Sequence, residues 1–266
     1  MLIYIFIFAI PVIYYLSTGD KGRKNLKFLT YYLILLAIFV GLGDMLGGYD
    51  RYIYANLFDD MADVVREGGN PWTSESFLFY KTEFGYGSLC AILSFITANR
   101  YIFIFILTVI IYVMIFKSLK DYTEDYPMAV ILIMALRFFF TFTYLRQVLA
   151  ASILWFSVRY IINRDLKRFL LVWFIAYSMH NSAIIFLPTY FIATKKIPFT
   201  WVLMGMGTAL LIGMTPIPGA LFNTYGEVNE ARVYHGSGSY SQDMGFRIAF
   251  FLESVTFLYL LGLRYK

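Results

Sequence analysis

The strongest constraint on this chain is a series of nine apolar runs, at 2–16, 28–46, 84–97, 101–116, 128–145, 148–162, 169–191, 199–214 and 246–263. A helix that crosses a bilayer needs about 20 residues, so several of these runs need flanking aromatic and basic side chains that snorkel to complete the span. Composition agrees: 60% of residues are hydrophobic and only 15% are charged, where a soluble domain carries about 25%. Mean hydropathy is +0.66. The expected fold is all-α, a polytopic integral membrane protein with about eight or nine hydrophobic helices, re-entrant candidates included. A single helical membrane domain would span 1–266, with two outer polar segments at 44–83 and 215–245. The run 84–97 is the weakest span and a candidate for a re-entrant or interfacial helix, which is tolerated where it lines a protein cavity. The run 2–16 has neither a basic leader nor a small-residue cleavage site, so it is expected to be a retained anchor helix. The lone cysteine, Cys90, excludes an internal disulfide and a cysteine metal cluster.

The net charge of +5 does not point to nucleic acid, because the basic residues fall in short clusters beside apolar runs. These are Lys21/Arg23/Lys24/Lys27, Lys117/Lys120, Arg164/Lys167/Arg168, Lys195/Lys196 and Arg264/Lys266, the pattern of cytoplasmic loops in a multi-pass protein. If all five clusters are cytoplasmic, the segment 44–83 lies outside, with eight acidic against three basic residues. The run 84–97 then stays on the outer side. The run 169–191 must enter and leave from the cytoplasmic side with His180 near its tip. If it crosses instead, Lys195/Lys196 is external. The His-Asn-Ser triplet and Pro188 supply a break for the hairpin.

A few polar side chains sit inside or at the ends of these runs: Arg137, Arg146-Gln147 and His180-Asn181. An ionised side chain in hydrocarbon costs several kcal/mol or more, and intramembrane ionisable residues usually mark functional sites. A guanidinium at an outer helix end can grip phosphate bidentately, with the Gln147 amide bonding sugar or phosphate beside it. The plain alternative for Arg146 is a snorkelling anchor. Arg137 lies nine residues earlier, about 2.5 turns, and so on another face; it reads as structural. His180 has the intrinsic basicity to take a proton from a sugar hydroxyl, although a lone membrane histidine also serves as a packing residue. Asp50 and Tyr54, four apart, would share one face of a helix, suited either to sugar binding or to capping and an aromatic belt. Zincin, nucleophile-elbow and Walker motifs are all absent. No cofactor or metal is expected.

Four segments in order, Gly-x-Asp-x3-Tyr ending at Tyr54, Glu83-Phe-Gly-Tyr, Tyr144-Leu-Arg-Gln-x-Leu-Ala and Met179-His-Asn-Ser-Ala-Ile-Ile-Phe-Leu-Pro, resemble the EpsG family. These are bacterial membrane proteins of exopolysaccharide and capsule synthesis, similar to Wzy-type polymerases. The resemblance implies a polymerase in the bacterial cytoplasmic membrane that joins undecaprenyl-diphosphate-linked repeat units on the outer face. It implies Arg146 at the diphosphate, His180 as the base and Asp50 as the alternative base. Arg51, Tyr54, Glu83, Gln147 and Asn181 would shape the sugar site. Arg232 and Arg247, in and just after the second outer segment, would complete the anion site, and Tyr234 is a further substrate-binding candidate. Lipid-linked oligosaccharide, the bilayer and other polysaccharide-assembly membrane proteins are the implied partners. Two rivals use the same residues: a lipid-linked glycan transporter or flippase, and a membrane O-acyltransferase.

Overall fold

The computed structural model describes residues 2–43, 49–192 and 198–213, with isolated positions at 215, 252, 255, 256 and 259. The described residues are helical throughout, with no strand. The chain divides into two units, Met1–Ala193 and Thr194–Lys266. In the second, the described part is chiefly one apolar helix, Phe199–Gly213. The polar segment 215–245 and the run 246–263 lie almost wholly outside the described residues.

In the first unit the long elements are α1 (Leu2–Thr18), α2 (Leu26–Leu42), α3 (Tyr49–Arg66), α4 (Glu75–Phe79), α5 (Phe84–Ser94), α6 (Arg100–Tyr122) and α7 (Tyr126–Leu136). They are followed by α8 (Phe140–Thr143), α9 (Leu145–Ile162), α10 (Leu166–Met179) and α11 (Thr189–Ile192). Among the described residues three segments are long and apolar enough to cross a membrane: Leu2–Gly22, Arg100–Tyr122 and Leu145–Ile162. Their outward faces are apolar as well; Leu2, Phe6 and Leu16 are each at least 70% exposed. A soluble protein does not leave such a surface in water. The chain is a multi-pass membrane protein.

Helix starts follow local capping chemistry. Asn25 Oδ1 accepts from the backbone N–H of Lys27 (3.1 Å) and Phe28 (3.2 Å) at the head of α2. Asp125 caps α7 through Met128 N–H (3.0 Å), and Asp165 caps α10 through Arg168 N–H (3.0 Å). Each carboxylate or amide satisfies donors that the first helical turn leaves without partners. These three starts lie at one end of the bundle. Arg23 C=O accepts from Tyr126 N–H at 2.8 Å, Arg23 pairs with Asp125 at 3.4 Å, and Lys24 pairs with Glu124 at 3.1 Å. Arg159 pairs with Asp121 at the foot of α6. Exposed pairs of this kind contribute little stability. They do show that the basic clusters at 21–27, 117–120 and 164–168 share one end. At the opposite end are the last turn of α2 and the first turns of α6 and α9.

Packing between α2 and α6 is close because Gly41 has no side chain: a Cβ there would sit 2.6 Å from Phe105 Cδ2 and 3.2 Å from its Cα. The run 128–145 is not one helix. It stops at Leu136, passes through the single turn α8 and restarts as a long helix at Leu145, so helical phase does not relate Arg137 to Arg146. Arg137 stands over the Trp155 indole at 5.6 Å and holds a structural position. The run 84–97 gives only 11 helical residues, about 16 Å long and too short to span alone.

The run 169–191 breaks at the polar triplet. After 14 residues of α10, His180 is extended (φ −157°, ψ 128°) and a 3-10 turn, Asn181–Phe186, follows. The chain then folds back along α10. Trp173 Nε1–H donates to Ala183 C=O (2.9 Å), the rings of Phe169 and Tyr190 lie 5.0 Å apart, and Arg164 donates to Tyr190 C=O (2.7 Å). Tyr190 therefore returns to the start of α10, with His180 at the turn.

The two ends should face opposite compartments. In a Cys90→Ala background, Lys24→Cys, Lys120→Cys and Lys167→Cys should resist a membrane-impermeant maleimide in intact cells. Glu75→Cys and Lys81→Cys should label without permeabilisation. Labelling of both groups from one side would break the two-ended arrangement.

Candidate functional site

Glu83 ends a short 3-10 turn, Lys81–Glu83, immediately before α5, and its side chain is fully buried. A carboxylate in such a place must be neutralised and hydrogen-bonded. Its Oε2 is paired with Arg146 Nη1 from the first turn of α9, 63 residues away in the chain. Its Oε1 lies 3.1 Å from His180 Nδ1 and accepts from Asn181 N–H at 3.3 Å. One carboxylate thus collects α9 and the turn at the end of α10.

Arg146 is almost wholly buried. Its guanidinium carbon lies 4.9 Å from the ring centre of Tyr54, 5.4 Å from Tyr80 and 5.9 Å from Tyr86. Desolvated cation–π contacts of this kind can each contribute about 2 kcal/mol. Burial pushes the Tyr80 phenol well above the ordinary tyrosine range, so it stays neutral beside the carboxylate. The arginine keeps its charge, because no reachable pH removes its proton.

Two contacts at His180 Nδ1 require opposite tautomers. Ser182 N–H approaches it at 3.3 Å as a donor, while the Glu83 carboxylate at 3.1 Å needs a proton on that nitrogen. The full negative charge decides: a lone pair aimed at a carboxylate is repulsive, whereas an N–H donor to it is a charge-assisted bond. With the proton on Nδ1, the lone pair of the neutral ring is on Nε2. The His180 side chain keeps 24% of its surface exposed while Glu83 keeps none, so the ring is the accessible member of the pair. Asn181 Oδ1 is buried with no hydrogen-bond partner among the described residues. An acceptor left in that state is one that a bound hydroxyl would satisfy.

The quoted Glu-Phe-Gly-Tyr segment has a physical reason at three of its four positions. Glu83 is the shared carboxylate and Tyr86 is a wall of the arginine cage. Gly85 lets α5 abut the end of α10: a Cβ there would overlap the Ser178 side chain and lie 3.1 Å from its carbonyl carbon. Tyr80 and Tyr86 were not among the site residues expected from sequence, and Tyr80 lies outside every quoted segment.

The other expected residues distribute differently. Tyr54 joins the cage. Gln147 is exposed, on the next position of α9 and outside the ion-pair cluster. Arg51 is buried, but its Nη2 donates to Val40 C=O (2.8 Å) and Gly43 C=O (3.1 Å), and its guanidinium faces Phe142. It satisfies carbonyls at the end of α2, which is a capping task. Asp50 is half-buried in the first turn of α3. Arg232, Tyr234 and Arg247 lie outside the described residues. Among the described residues no three His, Cys, Asp or Glu side chains are grouped so as to hold a metal ion.

The sequence profile of the EpsG family matches residues 28–266. The chain belongs to the EpsG family. Membership points to a membrane protein of polysaccharide biosynthesis, of polymerase type. No curated protein and no solved structure matches the chain. In this EpsG-family chain, four segments spread from Tyr54 to Asn181 meet around the Glu83–Arg146 pair.

Removing one side of a buried ion pair costs about 3–5 kcal/mol, because the other charge is stranded, whereas replacing both with apolar groups is often neutral. Arg146→Ala should therefore lower the melting temperature in detergent far more than the double variant Glu83→Leu/Arg146→Leu. Gly85→Val should separate α5 from α10, with a loss of about 1–3 kcal/mol for overpacking. Equal melting temperatures for Arg146→Ala and the double variant would show that the pair is not dry.

Proposed function

We propose that this protein is a polysaccharide polymerase acting on lipid-diphosphate-linked oligosaccharides, joining one repeat unit to the next at the membrane surface. The observation that carries the reading is the Glu83–His180 pair, a buried carboxylate behind a partly exposed imidazole. Such a pair is arranged to take a proton, since the carboxylate fixes the tautomer and favours the imidazolium that forms. In the proposed step, a hydroxyl oxygen at the non-reducing end of the acceptor attacks the anomeric carbon of the donor glycan. A C–O bond forms there, the bond to the diphosphate oxygen breaks, and the hydroxyl proton passes to His180 Nε2. The lipid diphosphate leaves as an anion, and undecaprenyl is the carrier expected from the family.

In this reading Arg146 takes a role other than the diphosphate contact that the family resemblance implies. Its burial, its ion pair with Glu83 and the three tyrosine rings favour a positioning residue that fixes Glu83 and supplies fixed positive charge nearby, rather than a free phosphate clamp. Fixed charge in a dry site stabilises developing negative charge without reorganisation. The cationic candidates for direct contact with the diphosphate are then Arg232 and Arg247, in and just after the second outer segment, as the family resemblance implies. Asn181 and Tyr54 remain the candidates for contact with sugar hydroxyls. Asp50 is the alternative base. The turn at His180, with both of its limbs returning toward the basic end, fits a re-entrant hairpin that brings the base to the outer face.

Purified protein incubated with its own lipid-linked repeat unit should produce a ladder of lengthened glycans on a gel. His180→Ala and Glu83→Gln should each slow chain growth about 10²–10⁴-fold, the usual contribution of a positioned base. His180→Ala should melt close to wild type, whereas Glu83→Gln, which leaves the buried Arg146 without its carboxylate, should melt lower. Polymer of wild-type length from His180→Ala would remove the base assignment. Passage of the lipid-linked glycan across vesicles without lengthening would favour transport, and dependence on an acyl donor would favour acyl transfer.

A further inference from the structure

The end of the bundle that holds Glu83 carries a second concave feature, a groove of about 390 Å³ lined by Asp59, Asp63, Arg66, Asn99, Arg100 and Tyr101 together with Ala98. It is built where the second half of α3 passes the start of α6. Arg100 is paired with Asp59 across the two helices, and Asp63 with Arg66 at 2.7 Å along α3. Asp63 and Arg66 keep 60% of their side-chain surface exposed, and Tyr101 keeps 47%. Helix α3 connects this groove to the site already described, since Tyr54 at the Arg146 cage and Asp59 and Asp63 at the groove are residues of one helix. At 1.5 Å per residue the groove begins about 8 Å from Tyr54 along the helix axis, at Asp59, and reaches about 18 Å, at Arg66.

The lining selects a class of ligand by its charge balance. Two carboxylates face two guanidiniums, so neither an inorganic anion nor a metal cation gains from the net field. What the groove offers is alternating acceptors and donors at short spacing: carboxylate, guanidinium, the Asn99 side chain and an exposed tyrosine ring at the rim. A polyhydroxylated ring presents the complement, because each hydroxyl both donates and accepts, and its apolar face can lie on an aromatic side chain. The more sheltered Arg100–Asp59 pair ties α6 to α3 across the groove and restrains two of these groups, which lowers the ordering cost of binding. The exposed walls fit a chain that passes along the surface rather than a small molecule that is enclosed.

We propose that this groove is a second glycan subsite, which holds an uncharged, hydroxyl-rich stretch of the saccharide chain a few residues of helix away from the Glu83–His180 pair. The inference rests on the polymerase reading for its biological use, since a held acceptor would be kept for the next round of coupling. Binding itself does not require that reading.

The test uses the full-length protein in detergent and the triple variant Asp63→Ala/Arg66→Ala/Tyr101→Ala, which removes both members of an exposed pair and leaves no stranded charge. The probe is a set of oligosaccharides released by partial acid hydrolysis of the polymer that the producing cells make. Wild type and His180→Ala should bind probes longer than one repeat unit with equal affinity, and the triple variant should bind at least tenfold more weakly. In the coupling assay the triple variant should join the first two repeat units at the wild-type rate but yield shorter products. Equal binding by wild type and the triple variant, or no binding by wild type, would overturn the subsite. Loss of the first coupling in the triple variant with binding intact would also overturn it. If the triple variant alone loses binding while wild type lengthens no lipid-linked glycan, the subsite stands and the polymerase reading fails.

Discussion

The Glu83 carboxylate is the group on which the arrangement at this end of the bundle depends. With no exposed surface it cannot be solvated by water, and burying an unpaired carboxylate costs several kcal/mol even after relaxation. Its partners come from a distant helix and a distant turn, Arg146 on α9 and His180-Asn181 after α10. The electrostatic requirement of one residue therefore determines which ends of which helices meet. The aromatic cage follows from the same need. A guanidinium withdrawn from water beside a single carboxylate is only partly compensated, and three ring faces from α3, α5 and the segment before α5 lie within about 6 Å of it to complete its surroundings.

Short helices are what make the meeting possible. Helix α10 is 14 residues, about 21 Å, and cannot cross a bilayer by itself. It ends where His180 adopts an extended backbone, and the next residues turn back along it. Had the run 169–191 continued as one helix, His180 would be a helical side chain on α10 and the backbone N–H of Asn181 would be engaged within the helix. Breaking the helix frees that N–H for Oε1 of Glu83 and aims the imidazole at the same oxygen. Gly85 makes the companion adjustment from the other side by removing the Cβ that would keep α5 away from Ser178. The membrane-spanning helices hold the frame and contribute Arg146, and the elements that bring in Glu83 and His180 are too short to span it.

Much of this was legible in the sequence. Membrane class followed from the apolar runs, and the shared end of three basic clusters followed from their positions between runs. Four of the residues singled out in the sequence, Arg146, Glu83, His180 and Tyr54, come together in the cluster. Their relations were not. Arg137 and Arg146 share one apolar run in sequence, yet the chain turns between them, because apolarity marks what tolerates lipid and says little about where a helix stops. Arg51 stands three residues before Tyr54, but its guanidinium serves the end of α2. Tyr80 has no sequence signal, since in a chain with 23 tyrosines one more beside a membrane segment is indistinguishable from an interfacial anchor.

By itself, then, the sequence determined the membrane environment and the side chains too costly to place in lipid without a partner. Those follow from transfer energetics, which act residue by residue and so can be read in one dimension. Only the tertiary structure decided that Arg146 is caged and paired rather than free, that one carboxylate serves both the arginine and the histidine, and that the imidazole Nδ1 faces that carboxylate. Those outcomes depend on distances between segments up to 98 residues apart. Pairing between buried charges is a property of their separation in space, and no pattern along the chain encodes it.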